Sequence, residues 1–183
     1  LLSLNLHYIQ NSDNQDLLLL LKPLIKKTYS KDLTKEDEFR ILSILNELKN
    51  RELVPAIILN THHHSDHIAG NKALINKYRS KLIGPEKEVH RIPDINKTVS
   101  EGSTFSFGGE TVQVFETPGH TDGHICFYFT ESKILFAGDL VFAMGCGRAF
   151  EGTPEELFNS IQQIKHYLLL AFQSLTQPLK CLK

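Results

Sequence analysis

The 183 residues are enough for one ordinary core and too few for two comfortable ones. Twenty Lys and Arg stand against 21 Asp and Glu, a net charge of −1 that offers no field to attract nucleic acid or an anionic membrane, so neither is expected as a partner. The three cysteines, Cys126, Cys146 and Cys181, form no paired framework and no C-x-x-C, which suits a reducing compartment: the cytosol, with the mitochondrion as the alternative.

The apolar run Leu17 to Leu21 is broken by Lys22 and Pro23, short of the roughly 20 residues a membrane helix needs. Residue 1 is Leu and no basic stretch precedes an apolar one, so the chain reads as a fragment without a signal peptide. From Thr34 to Leu48, Phe39, Ile41, Leu42, Ile44, Leu45 and Leu48 recur at helical spacing behind the caps Thr34 and Asp37. The run "VPAIILN" (54–60) predicts a buried parallel-type strand delivering Thr61 and the histidines that follow. Next, "IAGNKALINKY" (68–78) predicts a helix and "KLIG" (81–84) a strand. Between Thr98 and Thr130, short alternating runs separated by Gly108-Gly109 and "PGHTDGH" predict antiparallel sheet. "KILFAGD" (133–139) predicts a buried strand ending on an acid. "TPEELFNSIQQI" (153–164) opens a helix with Thr153 as cap, Pro154 first and Glu156 closing a capping box. Mixed strands and helices in this order predict two sheets sandwiched by helices, an α/β layered domain.

The chemistry sits in "THHHSDH" (61–67). In an extended segment His62 and His64 point to the same side, while Asp66 and His67 begin the next helix and can turn back toward them. Imidazole and carboxylate together suit zinc, iron or manganese and leave open positions for water; a solvated polar loop is the bland alternative. In "TPGHTDGH" (117–124), Pro118 and Gly119 fix a turn that brings His120 close to a ligand, although a lone turn histidine is more often structural. His124, at a strand start, can simply hydrogen-bond backbone. Asp139, at a strand's C-terminal end, is costly unless paired or metal-bound, and a carboxylate there can bridge two cations. His7, His90 and His166 have no ligand-like neighbours and read as structural.

Together "THHHSDH", "TPGHTDGH" and "FAGD" resemble the metallo-β-lactamase superfamily, and "GCGRAFEGTPEEL" (145–157) after "GDLVFAM" resembles the loop of glyoxalase II, the hydroxyacylglutathione hydrolases. The resemblance covers roughly residues 36 to 164. It implies an αββα sandwich, a two-metal site, and hydrolysis of S-D-lactoylglutathione to glutathione and D-lactate in methylglyoxal detoxification. It places His62, His64 and His120 on the first metal and Asp66 and His67 on the second, with Asp139 between them; Asp66 and Asp139 serve the chemistry as well. Arg148 is implied to pair with a glutathione carboxylate. Phe150 stands where many relatives have Tyr, which removes one hydroxyl donor. Cys146, with no base near it, belongs to the substrate loop.

Both ends depart from the pattern. The usual first strands are not found in residues 1–33, which implies an exposed sheet edge, and the family's further histidine and helical C-terminal domain have no counterpart in "HYLLLAFQSLTQPLKCLK". The expected organisation is a divergent segment 1–33, a catalytic domain 34–165 and a divergent tail 166–183, in a monomer. One zinc should bind tightly and a second weakly. Two rival readings are a mono-iron persulfide dioxygenase, which shares the histidine motif and much of "GCGR", and a non-catalytic truncated product.

Overall fold

The computed structural model describes residues 6–7, 50, 53–142 and 145–176; the helix expected over 34–48 lies outside them. The chain divides into two compact units, one taking in residues up to Gly84 with Val89–Thr98, the other Pro85–Glu88 with the residues from Val99 onward.

The first unit carries β1 (Leu6–His7), β2 (Ile57–Leu59), α1 (Ser65–Ile68), α2 (Asn71–Tyr78), β3 (Lys81–Pro85) and β4 (Lys97–Val99) in a sheet of order β1-β2-β3-β4. As the β-branched run predicted, β2 lies parallel to β3, with Ile58 opposite Leu82 and Leu59 opposite Ile83. Parallel neighbours need a crossover, and α1 and α2 supply it. Ile58, Leu59, Leu74, Leu82, Ile83 and Ile92 are buried, and each such side chain contributes about 1.5–3 kcal/mol. The helix predicted over 68–78 starts at Asn71 instead, because Ala69 and Gly70 separate it from the single turn of α1; it stops where Arg79 turns left-handed (φ 60°) and donates its N–H to Ile75 O. The edge expected to be exposed is covered: β1 pairs antiparallel with β2, Leu6 opposite Ile58.

The second unit is built on the meander β5 (Thr104–Phe107), β6 (Glu110–Glu116), β7 (Ile125–Phe129) and β8 (Ile134–Phe136), antiparallel and in sequence order. Gly108 and Gly109, at φ 59° and 88°, form the two-residue link between β5 and β6 that needs positive φ. Every residue of β7 is buried. Phe127 and Phe129 meet Phe105 and Phe107 edge to face, while Cys126 and Tyr128 lie on the other face, packed with the helix α3 (Pro154–Thr176) through Leu157, Ile164 and Tyr167. The expected box caps that helix: Thr153 Oγ1 accepts the Glu156 N–H at 3.1 Å and Glu156 Oε2 accepts the Thr153 N–H at 2.7 Å.

Two expectations for residues 133–139 are corrected. β8 is not buried, since it is the last strand of its sheet and has one neighbour; Ile134 is 41% exposed. The strand ends at Phe136, so Asp139 sits in the turn beyond it. A short hairpin follows, β9 (Val141–Phe142) against β10 (Gly145–Cys146). No helix among the described residues is long and apolar enough to cross a membrane.

Candidate metal centre

In the first unit the chain leaves β2 at Asn60 and presents the histidines before α1 turns it back. Asn60 holds this bend in place: its amide donates to His67 O at 3.1 Å and its Oδ1 accepts from Asn71 Nδ2 at 2.6 Å. His62 is fully buried, with Nδ1 at 3.1 Å from Thr61 Oγ1 and Nε2 at 3.1 Å from His64 Nδ1. His67 folds back as its place in α1 predicts, and its ring centroid lies 4.1 Å from that of His62. Asp66 approaches His67 Nε2 at 3.6 Å and keeps a 36% exposed side chain.

In the second unit His120 is 3% exposed. Its Nδ1 lies 2.8 Å from Arg148 O. A carbonyl can only accept, so Nδ1 carries a proton and Nε2 is the atom turned to Asp139 Oδ2, at 3.3 Å. The arrangement is the usual one for a metal-ligating imidazole, whose far nitrogen is tied to a carbonyl or carboxylate. His124 takes a different part. The Asp139 N–H donates to His124 Nε2 at 3.2 Å, so its other nitrogen donates to Thr117 Oγ1 at 2.8 Å, and both ring nitrogens are engaged with the protein. His124 thereby fixes the turn that carries Asp139.

These groups fit a metal ion. Two donors at about 2.0–2.1 Å from a tetrahedral ion lie about 3.3 Å from each other, and the separations within each unit, 3.1 Å for His62 and His64 and 3.3 Å for His120 and Asp139, match that spacing. The set of imidazole and carboxylate donors is the one that zinc, iron and manganese accept.

Residues 145–152 wrap the His120 turn. Phe150 N–H donates to His120 O at 3.3 Å, Gly152 N–H to Gly119 O at 3.1 Å, and the Asp122 N–H to Glu151 Oε2 at 3.0 Å. Gly147 is buried against the Asp139 carbonyl so closely that any Cβ there would overlap the oxygen. The wrap leaves Arg148 exposed, its guanidinium 5.3 Å from the centre of the Phe150 ring, and Phe150 itself is 59% exposed with its ring edge-on to His120 at 5.3 Å. A planar cation held beside an aromatic face and open to solvent is fitted to receive a carboxylate. Cys146 is exposed, as are His90 and His166. Sequence reasoning passed over Glu88, a buried acid that touches this turn, because nothing within several residues of it marks it out.

Residues 33–175 match the family described as the Metallo-beta-lactamase superfamily. A hydroxyacylglutathione hydrolase of Rhizobium meliloti (strain 1021) is 46% identical over 121 residues, 66% of this chain and 47% of the relative. One from Brucella anthropi is 48% identical over 117 residues, 64% of this chain and 45% of the relative. The chain thus spans about half the length of these curated relatives. Among solved structures, the BLEG-1 B3 metallo-beta-lactamase aligns with a TM-score of 0.59 at 27% identity, covering 66% of this chain and 68% of that one. ETHE1 from Myxococcus xanthus aligns with a TM-score of 0.56 at 30% identity, covering 70% and 55%.

Proposed function

Because the chain belongs to the metallo-β-lactamase superfamily, we propose that it carries the metal-dependent thioester hydrolase site of a hydroxyacylglutathione hydrolase, acting on S-D-lactoylglutathione to give glutathione and D-lactate in methylglyoxal detoxification. The observation that carries the reading is the loop 145–152, whose backbone grips the His120 turn while it holds Arg148 out to solvent over Phe150. Relatives named for this activity, at 46–48% identity, support it.

In this reading His62, His64 and His120 would hold a first ion, Asp66 and His67 a second, and Asp139 would serve as a ligand as well. A divalent cation so held supplies Lewis acidity toward a carbonyl oxygen and lowers the pKa of water to near 7. The chain's own groups do the rest. Asp66, partly open to solvent, accepts the proton of the attacking water at a carboxylate oxygen. Asp139 orients that water, and its own backbone is held by His124. Arg148 binds a glutathione carboxylate through paired N–H donors. A strong general acid is dispensable, because a thiolate of pKa about 8.5 leaves readily. With a single imidazole, His67, beside two carboxylates on the second ion against three imidazoles on the first, we expect one tight zinc per chain and a weak second, and elemental analysis after dialysis against a weak chelator tests this.

The second reading, a mono-iron persulfide dioxygenase, rests on the "GCGR" loop, whereas "AFEGTPEEL" after Arg148 favours the hydrolase. Thioester cleavage measured beside oxygen uptake with glutathione persulfide separates them. Oxygen consumption without cleavage overturns the hydrolase.

A further inference from the structure

Packed against the His120 turn lies an acid with no part in the chemistry so far. Glu88 ends the single 3₁₀ turn Glu86–Glu88 and is 2% exposed. A buried carboxyl group is costly unless hydrogen bonds satisfy it, and here one oxygen, Oε1, receives two: from the Thr121 hydroxyl, itself fully buried, and from the Gly123 N–H at 3.2 Å. Both donors belong to the turn that presents His120, and Thr121 is its chain neighbour. The Thr121 carbonyl in turn accepts the Gly119 N–H at 3.2 Å, closing the bend on both sides of the imidazole. Contact is tight enough to dictate sequence, since a Cβ at Gly123 would meet Lys87 Cβ at 3.0 Å and Glu88 Cγ nearer still. The 3₁₀ turn is pinned from outside by Lys87, paired with Glu116 at the end of β6 at 2.5 Å.

We propose that Glu88 is a positioning residue for His120: it fixes the 119–123 backbone while the Arg148 carbonyl fixes the ring, and the two together aim Nε2. This rests on the reading of His120 as a metal ligand only for its consequence, not for its geometry. A residue that merely filled space would do as well as an apolar side chain of equal size. A positioning residue would not, because the acceptor oxygen is what holds Thr121 and Gly123.

The test uses the full 183-residue chain and reads the His120 Nδ1–H by proton NMR without metal, assigned by its absence in His120→Ala, and then zinc affinity by competition with a chromophoric chelator. In the parent chain the Nδ1–H bonded to Arg148 O should be a sharp, slowly exchanging signal. Glu88→Gln keeps an acceptor oxygen and should keep the signal, with zinc affinity within about threefold. Glu88→Leu should lose the signal and weaken zinc about 10- to 100-fold, the range for groups that orient a ligand. Thr121→Val removes one donor at nearly constant volume and decides the matter where Glu88→Leu does not fold: its Nδ1–H should exchange about tenfold faster. Folded Glu88→Leu or Thr121→Val chains that retain the slow signal overturn the proposal. A parent chain that shows the signal, loses it in these variants and takes up no zinc upholds the positioning role and overturns the metal reading instead.

Discussion

His62 and His120 are both buried imidazoles, but they are secured in opposite ways. His62 is placed by its own stretch of chain, with Thr61 and His64 on its two nitrogens and His67 folded back onto it by a one-turn helix. His120 is placed by distant parts of the chain: Arg148, 28 residues on, holds its Nδ1, and Glu88, 33 residues before Thr121, holds its turn. The first arrangement is local and needs little beyond the strand end that launches it. The second exists only when both the long loop and the 3₁₀ turn have closed on the bend.

The largest effect that tests this contrast is loss of the imidazoles themselves. His62→Ala and His120→Ala should each abolish tight metal binding and hydrolysis, by more than about 100-fold, if both are ligands of one ion. Metal content after dialysis measures it, and a variant retaining full metal removes that residue from the site. A smaller perturbation separates the two supports. Gly147→Ala forces a methyl into the Asp139 carbonyl and should cost about 3 kcal/mol in thermal unfolding. Gly84→Ala in the first unit meets nothing nearer than the Ile95 side-chain tip, at 3.2 Å, and should cost about 1 kcal/mol or less.

Alkaline pH should act on the second unit through Cys126. Burial raises its thiol from 9.0 to about 12, against a smaller opposing effect of the Thr117 hydrogen bond. The unfolded thiol loses its proton from about pH 9 while the folded one keeps it, so stability, fully present below pH 9, falls as pH rises toward 12, by up to about 1.4 kcal/mol per pH unit. Tyr128, also raised by burial and by Tyr167 beside it, adds to the fall at the upper end. Cys126→Ala should flatten the lower part of the slope, which denaturation at stepped pH reads directly. Arg148→Ala should raise KM for glutathione thioesters about tenfold with a smaller change in kcat, as loss of uniform binding requires; a fall in kcat alone would move Arg148 from recognition into the chemistry. Smallest of all, Thr153→Ala removes one arm of the capping box and should cost about 1 kcal/mol of α3 stability.

What the sequence made legible follows the same division. The β2–β3 pairing, the fold-back of His67, the Gly108-Gly109 hairpin and the Thr153–Glu156 box are each written in neighbouring residues, where periodicity and turn chemistry act. The misplaced features depended on partners far along the chain. β8 reads as a buried strand because "ILF" is apolar, but its exposure is set by its being last in the sheet. Leu6–His7 lies in the alternating run "LSLNLH", a period-two signal that sequence reasoning passed over, and it pairs with β2. At the site, His120 was visible as a turn histidine, but the tautomer imposed by Arg148 O, the grip of His124 on the Asp139 backbone and the carboxyl of Glu88 under the turn are long-range contacts that no local pattern encodes.

The meander carries one more consequence, a kinetic one. β5, β6, β7 and β8 pair strictly with their neighbours in sequence, so the chain entropy lost in closing each hairpin is small and such contacts form early. The segment 147–152 must return across some thirty residues to reach Gly119 and His120, a closure that brings no β pairing of its own. In a refolding experiment the protection of β6 and β7 amides from hydrogen exchange should precede that of the Phe150 and Gly152 amides, so that the chain passes through a stage with a finished sheet and an unformed ligand turn.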